Sequence, residues 1–242
     1  MVIKSFVRGL AAASLLALAT VGGAAAQQCT ETEFSSGNGQ LYLKAENELL
    51  VNENPQAALQ ALNKLRANEL NCYEEGAALR LSAAVKVETK DYVGAVRDFE
   101  TALNRGLIPA SERASTYYNI SQLYMQSENI PKALEYMDRW IQAGGEPDRD
   151  QKWQLAVLNH KVDKNREAVK WAEQVFREDG PNAKREVYDF LIFLYDKTGQ
   201  LAKKAELLET LLARNPGERK LWDAIAGDYF RAGNDRRAFE VQ

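Results

Sequence analysis

A ladder of aromatic and small residues recurs along this sequence and constrains the fold more than any other feature. Its last copy comprises Trp222, Ile225, Ala226, Tyr229, Gly233 and Ala238. Apolar residues three or four positions apart share one face of an α-helix, and almost no alternating strand pattern occurs in the chain. The ladder therefore predicts an all-α protein made of antiparallel helix pairs, each of which buries its apolar face against the next pair.

Five earlier copies have matching offsets. Two are clear: Tyr188, Leu191, Ile192, Tyr195, Gly199, Leu208, Leu211 and Pro216, and before them Tyr117, Ile120, Ser121, Tyr124, Ala133, Met137 and Trp140. Three are weaker: Tyr42, Ala45, Leu49, Ala58, Leu62 and Leu65; Leu79, Ala83, Tyr92, Ala95, Phe99 and Ala102; and Ala156, Ala168, Ala172 and Val175. The equivalent second-helix positions are 58, 95, 133, 168, 204 and 238, which lie 34 to 38 residues apart. This spacing predicts six helix pairs.

Small side chains at the crossings explain the ladder, because two helices approach closely only where one face is small. Glu46 beside Ala45 and Lys204 beside Ala205 depart from it, and we expect looser packing or a shifted register there. Proline supports the assignment, since it disrupts helix interiors but is accepted in first turns and loops. All six prolines fall at predicted starts of second helices or between pairs: Pro55, Pro109, Pro131, Pro147, Pro181 and Pro216.

Over residues 40–242 the ladder resembles that of the tetratricopeptide-repeat (TPR) family. The resemblance implies a TPR solenoid of antiparallel helix pairs forming a right-handed superhelix. It also implies a scaffold that binds a protein or peptide and is not an enzyme.

A narrower resemblance rests on Asn71–Glu74, Asp91–Tyr92 and Gly106–Pro109, followed by the copy from Tyr117 to Trp140. These stretches resemble exported TPR proteins associated with TonB–ExbB–ExbD energy-coupling systems of Gram-negative bacteria. That resemblance implies a periplasmic adaptor of outer-membrane nutrient uptake. The alternative is an accessory factor of cell-envelope assembly or peptidoglycan maintenance.

Residues 1–26 have the pattern of a cleavable export signal, with Lys4 and Arg8, an apolar run from Leu10 to Val21 and small residues at 24–26. The alternative is a membrane anchor, but a run of about a dozen residues is shorter than the roughly 20 that span a bilayer. We therefore expect cleavage before Gln27, a periplasmic protein and no stable membrane insertion. Residues 27–38 form a polar, flexible lead-in, and 39–242 the array, which we expect to be truncated inside its last helix pair.

Charge and residue usage argue against several functions. The net charge is −3, and it becomes more negative when Lys4 and Arg8 leave with the signal. Nucleic-acid binders normally carry a basic excess, so we expect no nucleic acid as a partner. His160 is the single histidine and no His/Cys pair has metal-ligand spacing, so we expect no catalytic residue, no metal and no cofactor.

The two cysteines, Cys29 and Cys72, both lie after the predicted signal. An oxidising compartment favours a disulfide between them. Two free thiols are the alternative.

In a TPR array the first helices of successive pairs line a concave groove, and the residues next to the ladder point into it. Those positions are Tyr118, Gln122, Met125, Trp153, Val157, His160, Asp189, Phe193, Asp196, Asp223 and Phe230. Exposed aromatic residues on one face mark binding sites, although Trp153 and Phe193 are equally compatible with packing between helices. Some TPR proteins hold the C-terminal carboxylate of a partner with a clamp of basic residues. Here Leu43 occupies the position where a lysine of that clamp would be expected. We therefore expect an internal extended or helical segment as the partner, with basic residues that meet Asp189, Asp196 and Asp223.

Overall fold

The computed structural model describes residues 29–214 and 219–241, and the chain divides into two compact units, residues 1–145 and 146–242. The predicted signal and its cleavage point, Pro216, and the terminal Gln242 lie outside the described residues. All described regular structure is helical, so the all-α prediction is confirmed.

Unit 1 contains three helix pairs that follow a short N-terminal lead-in. Their bounds are α1 Ser36–Leu50, α2 Pro55–Arg66, α3 Cys72–Glu88, α4 Tyr92–Asn104, α5 Ala110–Gln126 and α6 Ile130–Gln142. Unit 2 contains three more pairs. Their bounds are α7 Arg149–Lys161, α8 Asn165–Asp179, α9 Arg185–Thr198, α10 Leu201–Arg214, α11 Arg219–Arg231 and α12 Asp235–Glu240, with a 3₁₀ turn at Gly180–Asn182 after α8.

Local sequence explains where the second helices begin. The side chains of Asn54, Asp91 and Asn129 accept a hydrogen bond from a backbone N–H of the first turn that follows, at 2.9 to 3.3 Å. Such caps satisfy amide groups that have no partner within the helix. Pro55 and Pro131 occupy the first turns of α2 and α6, as their positions predict.

The turn within every helix pair contains one residue with a left-handed backbone. In each pair this residue lies five positions before the residue at which the second helix crosses the first, that is, before position 58, 95, 133, 168, 204 or 238. The six residues are Glu53, Lys90, Glu128, Asp163, Gly199 and Gly233, with φ between 49° and 74°. The turns are therefore equivalent, although two of the six carry glycine.

The small residues predicted at the crossings are buried. Exposure is 0% for Ala45, Ala58, Ala95, Ala133, Ala168 and Ala238. Lys204 occupies the equivalent place in α10, and its Nζ lies 2.6 Å from Asp196 and 3.3 Å from Asp228, which is 1% exposed. The lysine is matched by carboxylates on α9 and α11, and its distance along the chain from the turn residue Gly199 equals that in the other pairs, so the register is not shifted.

Tyrosine–glutamate hydrogen bonds connect successive pairs inside each unit. In unit 1 the Glu100 carboxylate on α4 accepts the hydroxyls of Tyr124 and Tyr136, at 2.9 and 2.7 Å. In unit 2 Glu173 accepts the Tyr195 hydroxyl at 2.9 Å, and burial together with the neighbouring Glu209 raises the pKa of Tyr229. Burial and Glu100 together raise the pKa of Tyr124 to about 12, so its hydroxyl remains a donor even at alkaline pH.

The lead-in is held in place, contrary to the expectation of a flexible segment, and helix α1 begins at Ser36 inside the range assigned to it. A disulfide joins Cys29 to Cys72, the first residue of α3. The Ser35 N–H donates to Glu74 at 2.7 Å, and the Asn71 amide donates to the Glu33 carbonyl at 3.2 Å. The lead-in therefore closes the N-terminal end of unit 1.

Glu74 is the polar centre of this closure and is 1% exposed. Its carboxylate accepts hydrogen bonds from the Ser35 N–H, the Asn38 amide and the Asn71 N–H, at 2.7 to 3.0 Å. Burial raises the pKa of this carboxyl, but the three donors outweigh burial and leave the pKa below its usual value. Asn38 is thus used to hold Glu74 and does not cap α1.

No described helix combines the length and the hydropathy needed to span a bilayer.

Candidate functional site

All eleven predicted groove residues lie on first helices of their pairs. Tyr118, Gln122 and Met125 lie on α5 of unit 1, and the other eight lie on α7, α9 and α11 of unit 2. The two sets are therefore described separately.

In unit 1 the predicted aromatic residue packs within its own helix pair. The ring of Tyr118 lies 4.9 Å from that of Trp140 on α6, which is buried. Met125 is half-buried at the end of α5. Tyr118 thus supports the pair and does not offer an open aromatic face.

In unit 2 four rings form an aromatic cluster, which we define as Trp153, His160, Phe190 and Phe193. The Trp153 ring lies 5.2 Å from Phe190, and His160 lies 5.7 Å from Phe190 and 5.0 Å from Phe193, all in edge-to-face geometry. Phe193 is 39% exposed, while Trp153, His160 and Phe190 are half-buried. The cluster is therefore accessible along one side.

Helical spacing explains how the cluster assembles. Trp153 and His160 are two turns apart on α7, and Phe190 and Phe193 are one turn apart on α9. Phe190 lies at the interface of α7 and α9 and is a member that the ladder analysis missed. Its spacing of three residues from Phe193 was the available signal, because residues at i and i+3 share a helix face.

The sequence left two alternatives for Trp153 and Phe193, a place in the groove or packing between helices. The structure shows that the two residues differ. Trp153 packs against the hydrophobic core of unit 2 as well as against Phe190. Phe193 is among the exposed large hydrophobic residues. Trp153 therefore joins the cluster to the core of unit 2, and Phe193 is the more exposed of the two by fraction.

His160 has a hydrogen-bonding role inside the cluster. Its Nδ1 lies 2.8 Å from the Oδ1 atom of Asn165, an oxygen that accepts, so Nδ1 carries the proton. No carboxylate or nucleophile among the described residues is paired with this ring, so the histidine has no triad geometry.

Two of the three predicted acidic positions are already matched by cations of the chain itself. Asp189 accepts from Arg185 at 2.7 Å, and Asp196 accepts from Lys204 at 2.6 Å. The hydrogen bond and charge of Lys204 lower the pKa of Asp196. Asp223 is exposed on α11. These ion pairs weaken the expectation of a basic partner, because their charges are balanced before any partner arrives.

The last predicted residue, Phe230, lies near the end of α11 and is 40% exposed. Its ring contacts Phe239 of α12 in edge-to-face geometry at 5.4 Å. Val157 is half-buried one turn after Trp153 on α7. Phe230 and Phe239 therefore form a separate aromatic pair outside the aromatic cluster.

A cavity of about 440 Å³ lies at the ends of α7 and α9. Its lining includes Lys164, Arg166 and Lys197 as cations and Asp163 and Glu167 as carboxylates. Lys197 also places its Nζ 5.6 Å above the Phe193 ring. The cavity is thus continuous with the aromatic cluster through Lys197.

One group of metal-ligating residues occurs in the described part of the chain: Cys29, Glu31 and Cys72. Both sulfur atoms belong to the disulfide, so neither is a thiolate ligand in this form. The residues therefore do not fit a metal centre while the bridge is intact.

Neither protein-family models nor curated proteins match this chain. Among solved structures, it is similar to a tetratricopeptide repeat protein from Parabacteroides merdae ATCC 43184, with 14% identity and a TM-score of 0.52 over 86% of this chain and 78% of that one. It also matches YrrB, described as a TPR protein with an unusual peptide-binding site, at 16% identity and a TM-score of 0.46 over 77% and 89% of the two chains. MamA matches at 18% identity and a TM-score of 0.44 over 69% and 88%. The first likeness shows the TPR fold.

Proposed function

We propose that this chain is a non-catalytic periplasmic scaffold that binds a protein or peptide partner through the first helices of unit 2. The observation that carries the proposal is the aromatic cluster, whose Phe193 ring remains open on a face formed by α7 and α9. Aromatic residues that combine a fixed position with an exposed surface are the usual anchors of protein interfaces. The face is the region predicted from the ladder, with Phe190 added.

The process proposed for the scaffold is based on the sequence resemblance. An adaptor of TonB-dependent outer-membrane transport is the first proposal, and an accessory factor of cell-envelope assembly or peptidoglycan maintenance is the alternative. Both place the protein in the periplasm, where the Cys29–Cys72 disulfide is stable. Export itself is tested by fusing residues 1–27 to a reporter enzyme that is active only after translocation.

The binding surface is tested by the double substitution Trp153→Ala with Phe193→Ala. We expect partner capture from a periplasmic extract to be lost, because both ring surfaces are removed. The melting temperature should fall because Trp153 also packs against the core of unit 2, so Phe193→Ala alone, at an exposed position, is the variant expected to lose capture with little change in melting temperature. Proteins cross-linked to the wild-type chain are then identified by mass spectrometry, and TonB-system components or peptidoglycan enzymes distinguish the two processes.

Leu59→Ala with Val93→Ala is the matched control, since both residues are exposed and apolar but lie on second helices of unit 1. This variant should capture partners as the wild type does. A large loss of melting temperature with unchanged capture in the aromatic variant would assign Trp153 and Phe193 to the core and remove the proposed site.

A further inference from the structure

Next to the aromatic cluster, the carboxylates are neutralised by cations of the chain itself, whereas, among the described residues, a lysine is not. On α9 the two carboxylates on the cluster's face are each paired, Asp189 with Arg185 and Asp196 with Lys204. Lys197 on the same helix is exposed, and within the described residues it has no carboxylate partner. The available charge next to Phe193 is therefore positive.

The same imbalance extends into the cavity beside the cluster. Lys164 and Arg166 are exposed there and have no ion pair within the part of the chain that the structure describes. Of the two carboxylates in the lining, Glu167 is engaged by Lys170 at 2.6 Å. Asp163 alone opposes the three cations, so the cavity carries a positive excess.

Asn165 connects the two regions. Its side-chain oxygen holds His160 of the aromatic cluster, and the residue itself lines the cavity between Lys164 and Arg166. A chain that covered Phe193 and His160 would reach the three cations within a few residues, since an extended residue spans about 3.3 Å. The apolar and cationic surfaces thus form one continuous docking surface.

We propose that this surface takes an acidic peptide segment: an aromatic or large aliphatic side chain against Phe193 and His160, followed within a few residues by carboxylates that reach Lys197, Lys164 and Arg166. The inference rests on the proposed function and specifies its partner. It reverses the basic partner that the sequence predicts. Opposite charge guides association, and the planar guanidinium of Arg166 can hold a carboxylate by two parallel hydrogen bonds.

Selection from a displayed library of random twelve-residue peptides tests the proposal. The oxidised chain from Gln27 onward is the immobilised bait. Enriched peptides should combine an aromatic or large aliphatic residue with two or more Asp or Glu residues. One enriched peptide is then synthesised, labelled and titrated by fluorescence anisotropy.

Three variants are titrated with that peptide. Lys197→Glu should weaken binding by about fivefold and Phe193→Ala by about tenfold, as expected for a rim charge and for an anchor residue. Lys64→Glu is the matched charge control, because Lys64 is exposed on α2 of unit 1, and its affinity should equal that of the wild type. Raising the salt concentration should weaken peptide binding by the wild type more than peptide binding by Lys197→Glu. Each protein is compared with itself at two salt concentrations, so this result does not depend on how much of each variant is folded.

Enrichment of Lys- and Arg-rich peptides, or full affinity in Lys197→Glu, would overturn this inference and leave the proposed function intact. A selection in which no peptide exceeds the bare support, together with unchanged capture by the Trp153→Ala and Phe193→Ala double variant, would overturn both.

Discussion

The two units use the same repeat differently, and their turns show this most directly. In unit 1 all three left-handed turn residues carry side chains: Glu53, Lys90 and Glu128. In unit 2 only Asp163 does, because the other two turns have glycine. A left-handed residue with a Cβ costs about 1 kcal/mol or more relative to the right-handed conformation, so unit 1 holds strain at every turn.

Unit 1 also contains the ties that offset this cost, since its N-terminal end is closed by the disulfide and by the buried Glu74 carboxylate. Unit 2 has less strained turns and keeps aromatic residues of its first helices, such as Phe193 and Phe230, exposed. Tyr118 and Trp153 occupy the same repeat position, yet the first packs on its own pair and the second on the next pair. The repeat therefore fixes the backbone, and local side chains decide whether a position supports the fold or is available to a partner.

Removing the disulfide should produce the largest change and should be confined to unit 1. The bridge spans a sequence separation of 43 residues. Cys29→Ser with Cys72→Ser should lower the free energy of unfolding by about 4 kcal/mol in the chain-entropy model. Hydrogen exchange should accelerate in α1 and α3, while α9 keeps its protection. Mass spectrometry of the non-reduced wild type must first show the bridge, and equal protection in both forms would contradict a closing role for it.

Glu74→Gln should have the next largest effect, about 2 kcal/mol, because it replaces a buried charge that accepts three hydrogen bonds. The folded-state pKa of Glu74 lies below its ordinary value of 4.5. Its contribution is therefore complete above that value and is lost as the pH falls through the folded pKa.

Urea unfolding between pH 7 and pH 3 measures this dependence. The acid sensitivity of unit 1 should be weaker in Glu74→Gln than in the wild type. Glu75→Gln is the neighbouring control, since Glu75 pairs at the surface with Arg105 and should change stability by less than about 1 kcal/mol. An identical pH profile for wild type and Glu74→Gln would show that the closure does not depend on this carboxylate.

The turn comparison predicts the smallest effects, and they have opposite signs in the two units. Glu128→Gly should stabilise unit 1 by about 0.5 to 1 kcal/mol, because glycine adopts the left-handed backbone without a Cβ clash. Gly199→Ala should destabilise unit 2 by about 1 kcal/mol for the same reason. Urea midpoints measure both changes. Destabilisation by Glu128→Gly would mean that its side chain makes a contact worth more than the strain.

The ladder was sufficient to predict the helices, their pairing and the buried alanines, because these follow from periodicity along the chain. Periodicity did not show what each polar residue would meet. Lys204 was expected to loosen the packing, but Asp228 lies beside it, 24 residues later in sequence. Residues 27–38 were expected to be a flexible lead-in, but Asn38 binds the buried Glu74 carboxylate.

The same limit applies to the candidate site. The ladder placed Trp153, His160 and Phe193 on one face, and the structure brings their rings together. It did not identify Phe190, whose role depends on the neighbouring helix α7. The ladder also did not show that Arg185 neutralises Asp189 and Lys204 neutralises Asp196. Sequence spacing allows these ion pairs, but whether they form depends on where the side chains lie.

The tyrosine–glutamate bonds have a consequence for how such an array can change its length. In unit 2 the carboxylates Glu173 and Glu209 occupy one repeat position in their pairs, and Tyr195 and Tyr229, which lie beside them, occupy another. Deleting the middle pair would bring Tyr229 to the place that Tyr195 occupies opposite Glu173. The joints are thus interchangeable, and loss of that pair would leave Glu173 with a tyrosine opposite it. Unit 1 lacks this freedom at its start, where a covalent bond ties the lead-in to the second pair and so encloses the first.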